Sequence, residues 1–250
     1  MSPSKAIPLG VFFKSLRPEQ WTKNLFCFAG LLFSRNLFEA DALLRVVAAF
    51  GVFCLLSGAA YLFNDLVDLA QDQKHPTKSQ RPLASGQIQS AQAQWFLAGL
   101  IPLGLVGSAW LGATFFAIAA GYLALQVIYN LALKQTVILD VFTIAACFAL
   151  RVLAGASVIA VEVSPWLLTC TIFLALFIAL GKRRQELLWT ERGGGQGRKV
   201  LEEYSLALLD QMISIVAAAT LIGYVLYTLS AETVARFDTQ QLVLTIPFVL

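Results

Sequence analysis

Six long apolar runs, separated by short polar stretches, dominate the pattern of hydrophobic and polar positions. Each is near the length of roughly 20 residues that an α-helix needs to cross a bilayer. They cover residues 43–63, 94–112, 113–133, 137–161, 165–181 and 206–230. Two weaker runs, over 24–38 and from residue 240 onward, predict further spans. The pattern therefore predicts an all-α, polytopic membrane bundle with about eight spans in this chain.

Composition excludes an ordinary soluble domain. Hydrophobic residues make up 58% of the 250 positions and charged residues only 13%, against about a quarter in soluble proteins. We interpret residues 1–250 as a single integral membrane domain. Its last residues are still apolar, so we expect the complete fold to contain further helices at the C-terminal end. The four scattered cysteines are interpreted as apolar core residues.

Basic residues are unevenly distributed among the predicted loops. Fourteen of the 18 Lys and Arg residues fall in the N-terminal segment, in the 64–93 and 182–204 loops, and at Lys134. Only three fall in the loops on the opposite side. By the positive-inside rule, the basic side is cytoplasmic. We therefore expect a multi-pass protein of the cell (inner or plasma) membrane, with a site that faces the cytoplasm.

The densest chemistry follows the first of the six runs, where Asn64, Asp65, Asp68 and Asp72 form the pattern NDxxDxxxD. On a continuous helix these residues fall within an arc of about 100°, so they share one face. Half-buried carboxylates are unfavourable unless they are paired or bound to a metal. Mg²⁺ is usually held by carboxylates together with substrate phosphates. We predict a Mg²⁺ site at Asp65, Asp68 and Asp72, with Asn64 as an orienting partner.

The loop that follows adds positive charge. Lys78 and Arg81 lie a short distance after the acids, and Pro76 and Pro82 stiffen the backbone around them. A metal beside cations is the arrangement that a polyphosphate requires. His75 is interpreted as forming a loop hydrogen bond rather than as a metal ligand.

Polar groups at other predicted span ends have more than one interpretation. Lys134 is either a topology anchor or a phosphate ligand, and Asp140 either pairs with a cation or contacts ligand or metal. Lys182 and Glu186 share a helix face, which fits a salt bridge as well as a site. Arg151 lies deep in a span. It either forms an internal ion pair or provides a route for an anionic headgroup.

Taken together, these motifs resemble the UbiA superfamily of intramembrane prenyltransferases. The NDxxDxxxD pattern followed by RPLASG at 81–86 looks like the first acidic motif of that superfamily. The likeness is closer to one branch, the decaprenyl-phosphate phosphoribosyltransferases. It rests on Arg17-Pro18-x-Gln20-Trp21-x-Lys23-Asn24, His75-Pro76-Thr77-Lys78, Leu133-Lys134 with Asp140, and Gly181-Lys182-Arg183 with Glu186. Further along the chain, Glu191-Arg192, Arg198-Lys199 and Glu203-Tyr204 continue the match. Basic residues replace the family's second acidic motif, which suits a donor with more phosphate groups.

The resemblance implies a nine-helix bundle that holds Mg²⁺ and a diphosphate. It implies transfer of a 5-phosphoribosyl group from phosphoribosyl pyrophosphate to a polyprenyl phosphate, with release of pyrophosphate. Asn64, Asp65, Asp68 and Asp72 are then the catalytic and metal-binding residues. The substrate-binding candidates are Lys23, Lys78, Arg81, Tyr129, Lys134, Asp140, Lys182, Arg183 and Glu186.

Two alternative functions are weighed against this one. A prenyltransferase would move a polyprenyl group from its diphosphate to an aromatic or quinone-precursor acceptor, and it predicts aromatic residues near the acids. A transporter or lipid carrier usually has internal repeats and paired interrupted helices, and the sequence has neither feature. The expected partners are the two substrates and membrane lipids, with no nucleic acid. A homo-oligomer is compatible with the sequence.

Overall fold

The structure is a computed structural model that describes residues 8–34, 37–192 and 199–248. Every regular element in those residues is helical. The α-helices are α1 (Leu9–Ser15), α2 (Ala29–Phe33), α3 (Ala40–Val67), α4 (Leu69–Asp72), α5 (Ser90–Leu111), α6 (Ala113–Leu131), α7 (Leu139–Ser157), α8 (Pro165–Glu191), α9 (Leu206–Leu229) and α10 (Ala231–Phe237). Short 3₁₀ helices cover Pro18–Phe28, Lys78–Gln80, Leu133–Gln135, Lys199–Glu203 and Gln241–Phe248.

Six helices, α3 and α5 to α9, are long and apolar enough to cross a membrane. They coincide with the six strong apolar runs, so the prediction of a polytopic all-α membrane protein is confirmed. The two weaker runs do not form long α-helices in the described part of the chain. The first is divided between the 3₁₀ helix Pro18–Phe28 and the short α2, and the second forms the 3₁₀ helix Gln241–Phe248. Pro247 lies inside the second of these 3₁₀ helices, where its missing N–H opposes a regular α-helix.

The chain falls into two compact units. The first consists of Met1–Leu133 and Leu150–Glu162, and the second of Lys134–Ala149 and Val163–Leu250. Helix α3 is central to the first unit, because it packs against α1, α2, α5 and α6. In the second unit α8 packs along α9, and α9 also contacts α10 and Gln241–Phe248.

Small residues allow close backbone approach in the first unit. A Cβ at Gly155 of α7 would lie 1.7 Å from the carbonyl oxygen of Cys27. No other residue fits there unless the backbone moves. At Gly104 of α5 a Cβ would lie 2.3 Å from Leu56 of α3. These contacts bring the 3₁₀ helix Pro18–Phe28 against α7, and α5 against α3.

Candidate active site

The acidic motif lies at the end of α3. Helix α3 ends one residue before Asp68, and α4 begins one residue after it. Asp68 itself has φ −95° and ψ 8°. The backbone ladder nevertheless continues, since Asp68 N donates to Asn64 O and Asp72 N donates to Asp68 O, both at 2.9 Å. The predicted common face is therefore preserved through a local break. Asp65 and Asp72 are 3% exposed, whereas Asp68 is half-buried.

Three cations contact the two buried carboxylates. Arg81 Nη1 lies 3.2 Å from Asp65 Oδ1 and 2.5 Å from Asp72 Oδ2. Arg17 pairs closely with Asp65, and Lys78 Nζ lies 4.0 Å from Asp72 Oδ1. We call Arg17, Asp65, Asp72, Lys78 and Arg81 the acid–cation cluster. Three cations against two carboxylates leave it with excess positive charge, which favours anionic ligands.

Apolar anchors hold the cationic loop against the end of α3. Leu83 and Ile88 are buried in a cluster with Leu62 of α3 and Ala93 of α5. Gly86, with φ of +78°, makes the turn between the two loop anchors. The loop backbone is thus fixed at both ends of the turn. Its long cationic side chains can still change rotamer without moving that frame.

The donor set suits a hard divalent cation. The carboxylates of Asp65 and Asp72 contact the same nitrogen of Arg81, so they already converge on one cationic position. Mg²⁺ is often held by one or two carboxylates together with substrate phosphates. Among the residues described, no three His, Cys, Asp or Glu side chains are grouped closely enough to hold a metal. His75 Nδ1 accepts from Thr77 N at 3.3 Å, in line with its interpretation as a loop hydrogen-bonding residue. Two carboxylates therefore fit Mg²⁺, and the three-aspartate site stays a prediction.

A second polar network lies in the second unit. Arg183 Nε donates to Asp140 Oδ2 at 2.5 Å, and Arg183 Nη1 donates to Glu186 Oε2 at 2.6 Å. Tyr204 Oη donates to Asp140 Oδ1 at 2.8 Å and accepts from Ile138 N at 2.8 Å. Burial raises the pKa of the Tyr204 phenol well above its ordinary value. We call Asp140, Arg183, Glu186 and Tyr204 the buried ion-pair network.

Three residues of this network, Asp140, Arg183 and Glu186, were predicted to bind substrate. The expected pairing of Asp140 with a cation is found, and the cation is Arg183. Glu186 is the second acid on the same guanidinium. Arg183 already holds two carboxylates, so a phosphate would have to compete with them for its charge. A structural role explains these contacts directly.

The remaining candidates occupy different environments. In the first unit Lys23 and Tyr129 are half-buried. In the second unit Lys134 is buried at the 3₁₀ helix Leu133–Gln135, and Lys182 is exposed on α8. Their contacts with substrate stay predictions.

Arg151, whose role the sequence left open, lies in a polar interior of the first unit. Its Nε donates to Asn24 Oδ1 at 2.8 Å, and its Nη2 donates to Tyr122 Oη at 2.9 Å. Asn24 Nδ2 in turn donates to Ser57 Oγ at 3.0 Å. These hydrogen bonds join the 3₁₀ helix Pro18–Phe28, α3, α6 and α7. The structure thus supports an internal role, through hydrogen bonds that the sequence did not predict.

Sequence reasoning missed Arg17 and Tyr204 as members of the polar clusters. Arg17 is one of the basic residues on the predicted cytoplasmic side and part of the family motif, but no contact was predicted for it. It directly precedes Pro18, and residues before proline are conformationally restricted. The structure gives Arg17 a positive φ of 52°. Tyr204 entered only through the family resemblance, together with Glu203, and no contact was predicted for it.

Comparisons with known proteins agree with this architecture. A model described as the UbiA prenyltransferase family matches residues 24–183. The chain is 37% identical to the decaprenyl-phosphate phosphoribosyltransferase of Mycolicibacterium smegmatis, over 92% of this chain and 73% of that protein. It is 35% identical to the protein of the same name from Corynebacterium glutamicum, over 90% and 69%. A UbiA homolog from Archaeoglobus fulgidus, solved with GPP and Mg²⁺, superposes with a TM-score of 0.79 at 20% identity, over 96% of this chain and 84% of that one. At that identity the likeness shows the fold alone.

Proposed function

This chain belongs to the UbiA prenyltransferase family of membrane transferases, and from that premise we propose its reaction. It transfers a 5-phosphoribosyl group from phosphoribosyl pyrophosphate to a polyprenyl phosphate, with release of pyrophosphate, and it requires Mg²⁺. Relatives named decaprenyl-phosphate phosphoribosyltransferase, matched over most of this chain, support the choice of branch. The acid–cation cluster is the structural observation that carries the proposal.

The charges of the cluster suit the substrates. Phosphoribosyl pyrophosphate brings a diphosphate and a 5-phosphate, and the lipid brings another phosphate. Mg²⁺ on Asp65 and Asp72 would neutralise the charge that develops on the departing diphosphate. The cations that now neutralise these carboxylates, among them Arg81 and Lys78, would then turn to phosphate oxygens in charge-assisted hydrogen bonds.

The chemistry needs no general base. The bond between the anomeric carbon and a diphosphate oxygen breaks, and its electron pair leaves with pyrophosphate. A phosphate oxygen of the polyprenyl phosphate forms the new bond to that carbon. This oxygen is already anionic at neutral pH, so no protein group has to remove a proton from it. The protein's contribution is positioning and electrostatic stabilisation, for which one donor group is typically worth about 10²–10³ in rate.

Orientation follows from the distribution of basic residues. Fourteen of the 18 Lys and Arg residues fall in the segments that the sequence pattern assigns to the same side as the acidic motif. This bias supports a cluster that faces the cytoplasm from the cell membrane. A water-soluble sugar phosphate donor would reach it from that side, and the lipid acceptor would reach it from the bilayer.

The competing function is prenyl transfer, which the name of the family favours. Purified protein in detergent would receive labelled phosphoribosyl pyrophosphate, Mg²⁺ and polyprenyl phosphate, and lipid products would be separated by thin-layer chromatography. A parallel reaction would contain a labelled prenyl diphosphate and an aromatic acid. We expect labelled lipid only in the first reaction, and none in excess chelator. Labelled product only in the second reaction would favour prenyl transfer. Turnover that excess chelator does not diminish would contradict the proposed requirement for Mg²⁺.

A further inference from the structure

One buried acceptor atom has no partner and no part in the mechanism above. Among the described residues, Trp21 Nε1 and Asn130 Oδ1 are the buried side-chain polar atoms without a hydrogen bond. Trp21 is only half-buried, whereas Asn130 is 3% exposed. Asn130 Nδ2 donates to Gln126 O at 2.9 Å. If the Asn130 amide were flipped, Oδ1 would face the carbonyl oxygen of Gln126, and two acceptors would be in contact. The amide orientation is therefore fixed, and Oδ1 is the atom without a partner. Native proteins rarely leave such an acceptor without a partner, which is supplied by the protein, by an ordered water or by a ligand.

Asn130 lies on the face of α6 that packs against α3. The Phe53 ring of α3 contacts Phe115 and Tyr122 of α6, with centroids 5.9 and 5.2 Å apart. Phe115, Ala119 and Tyr122 are buried. Together with Asn130 they span an arc of about 80° on an ideal helix. Asn130 therefore continues the inward face toward the C-terminal end of α6.

Helices α3 and α6 run in the same direction. Gly104 and Gly107 of α5 lie against Leu56 and Val52 of α3, respectively, so α5 is antiparallel to α3. A single residue, Gly112, connects α5 to α6, and the two helices pack together, which reverses the direction again. The C-terminal ends of α3 and α6 therefore lie on the same side of the first unit.

The rise of a helix places Asn130 at the level of the acidic motif. From Phe53 to Asp65 the chain advances about 18 Å at 1.5 Å per residue. From the midpoint of Phe115 and Tyr122, which Phe53 contacts, Asn130 lies about 17 Å further along α6. The unpaired oxygen is thus within about one helical turn of Asp65 along the helix axes.

We propose that Oδ1 of Asn130 accepts a hydrogen bond from a ribose hydroxyl of the phosphoribosyl donor and so determines donor specificity. This inference rests on the proposed function. Ionised phosphate oxygens are acceptors, and the polyprenyl chain has no polar group. The ribose hydroxyls are therefore the donors that the two substrates bring. A diphosphate bound at the acid–cation cluster would hold the attached ribose close to the level of Oδ1 along the helix axes.

Stability without substrate gives the first test. Asn130→Leu removes the unpaired acceptor and substitutes an apolar side chain of similar size. We expect the thermal unfolding midpoint in detergent to stay equal or to rise, because burial of an unsatisfied oxygen is relieved. A lower midpoint would show that the side chain serves the fold, for instance through a bound water, and would overturn the inference.

Donor analogues give the second test. Wild-type protein is compared with Asn130→Leu on phosphoribosyl pyrophosphate and on its 2-deoxy and 3-deoxy analogues. We expect wild type to prefer the natural donor over one analogue by about 10²-fold or more in kcat/KM. In Asn130→Leu that preference should fall to about threefold or less, chiefly through loss on the natural donor. Asn130→Ser should restore part of it, since its hydroxyl can donate to Gln126 O and still accept.

Gln126→Leu is the matched control, one turn earlier on the same face. Gln126 donates to Tyr122 Oη at 2.9 Å, so its loss removes a polar contact of α6 but leaves the donor preference unchanged. Equal losses on the donor and both analogues in Asn130→Leu would overturn the inference and leave the proposed function standing. Absence of any turnover of the ribosyl donor by wild type would overturn both.

Discussion

The acid–cation cluster and the buried ion-pair network contain the same kinds of residue, but they differ in whether an ion-pair partner can be exchanged for a ligand. In the cluster the side chains of Arg17 and Arg81 keep 16% and 25% of their surface exposed. In the network Asp140 and Arg183 keep 0% and 2%, and Tyr204 hydrogen-bonds to the same carboxylate. A partly exposed guanidinium can leave its carboxylate and bind a ligand, because water solvates both charges during the exchange. A fully buried one would leave an uncompensated charge in the interior.

This difference shows that residue type and spacing indicate the chemistry of a side chain, but not whether the side chain is available to bind a ligand. Asp140, Arg183 and Glu186 look like ligands in the sequence, yet in the structure they are partners of one another. We therefore expect this network to stabilise the second unit and the acid–cation cluster to bind and exchange ligands. Mutation of matched residues can separate these two roles.

The largest effect is expected for Arg183→Met. Removal of one partner from a buried pair typically costs about 3–5 kcal/mol, because Asp140 is left buried without its cation. Thermal unfolding in detergent measures the loss. Arg184→Met is the matched control, since Arg184 pairs with Asp210 at the surface with 39% and 53% of the side chains exposed. Its midpoint should not change measurably. An unaltered midpoint in Arg183→Met would contradict the structural role and favour Arg183 as a substrate ligand.

Asp65→Asn and Asp72→Asn should each lower kcat/KM by about 10²–10³, with little change in the unfolding midpoint. Each loses a carboxylate oxygen that the metal and the cations require. The released guanidinium groups are partly exposed and can turn to water. Asp41→Asn is a control on the same helix, because Asp41 is 83% exposed and pairs only superficially with Arg45 at 2.8 Å. Full activity in both single mutants would contradict the proposed Mg²⁺ site at Asp65 and Asp72.

The sequence predicted well those features that local chemistry determines. In lipid a long apolar run has hardly any alternative to a helix, so the six strong spans were found. Helical periodicity placed Asp65 and Asp72 on one face, and both contact Arg81 in the structure. The motifs also identified the UbiA family correctly. The break at Asp68 was not predicted, because no proline or glycine marks it.

Long-range partners could not be predicted in the same way. Arg17 is 48 residues from Asp65, and Tyr204 is 64 residues from Asp140. Nothing in the local pattern distinguishes Arg17 from a topology anchor, since both are basic residues ahead of a span. Which cation meets which acid depends on how the helices pack. The unpaired oxygen of Asn130 is likewise visible only when its neighbours are known.

A smaller effect is expected for Arg81→Lys, which keeps the charge but loses the planar fork. An ammonium group cannot bind a phosphate in the bidentate fashion of a guanidinium. We expect kcat/KM for the sugar donor to fall about tenfold, with a lesser change for the lipid. Steady-state kinetics with each substrate varied in turn provides the measurement. Arg45→Lys is the control. Equal losses for both substrates would argue against a contact between Arg81 and the donor.

The smallest effect is expected for Tyr204→Phe, which removes the hydroxyl held by Asp140 and Ile138. At neutral pH the loss should be about 1 kcal/mol in the free energy of unfolding. Burial raises the pKa of this phenol in the folded protein, so the neutral form is favoured there. Its stabilisation is therefore complete below the ordinary phenol pKa of about 10 and is lost as the pH rises above that value. The gap between wild type and Tyr204→Phe should narrow in unfolding measurements from about pH 10 upward. A gap that stays constant through about pH 11 would mean that the network does not depend on the phenol proton.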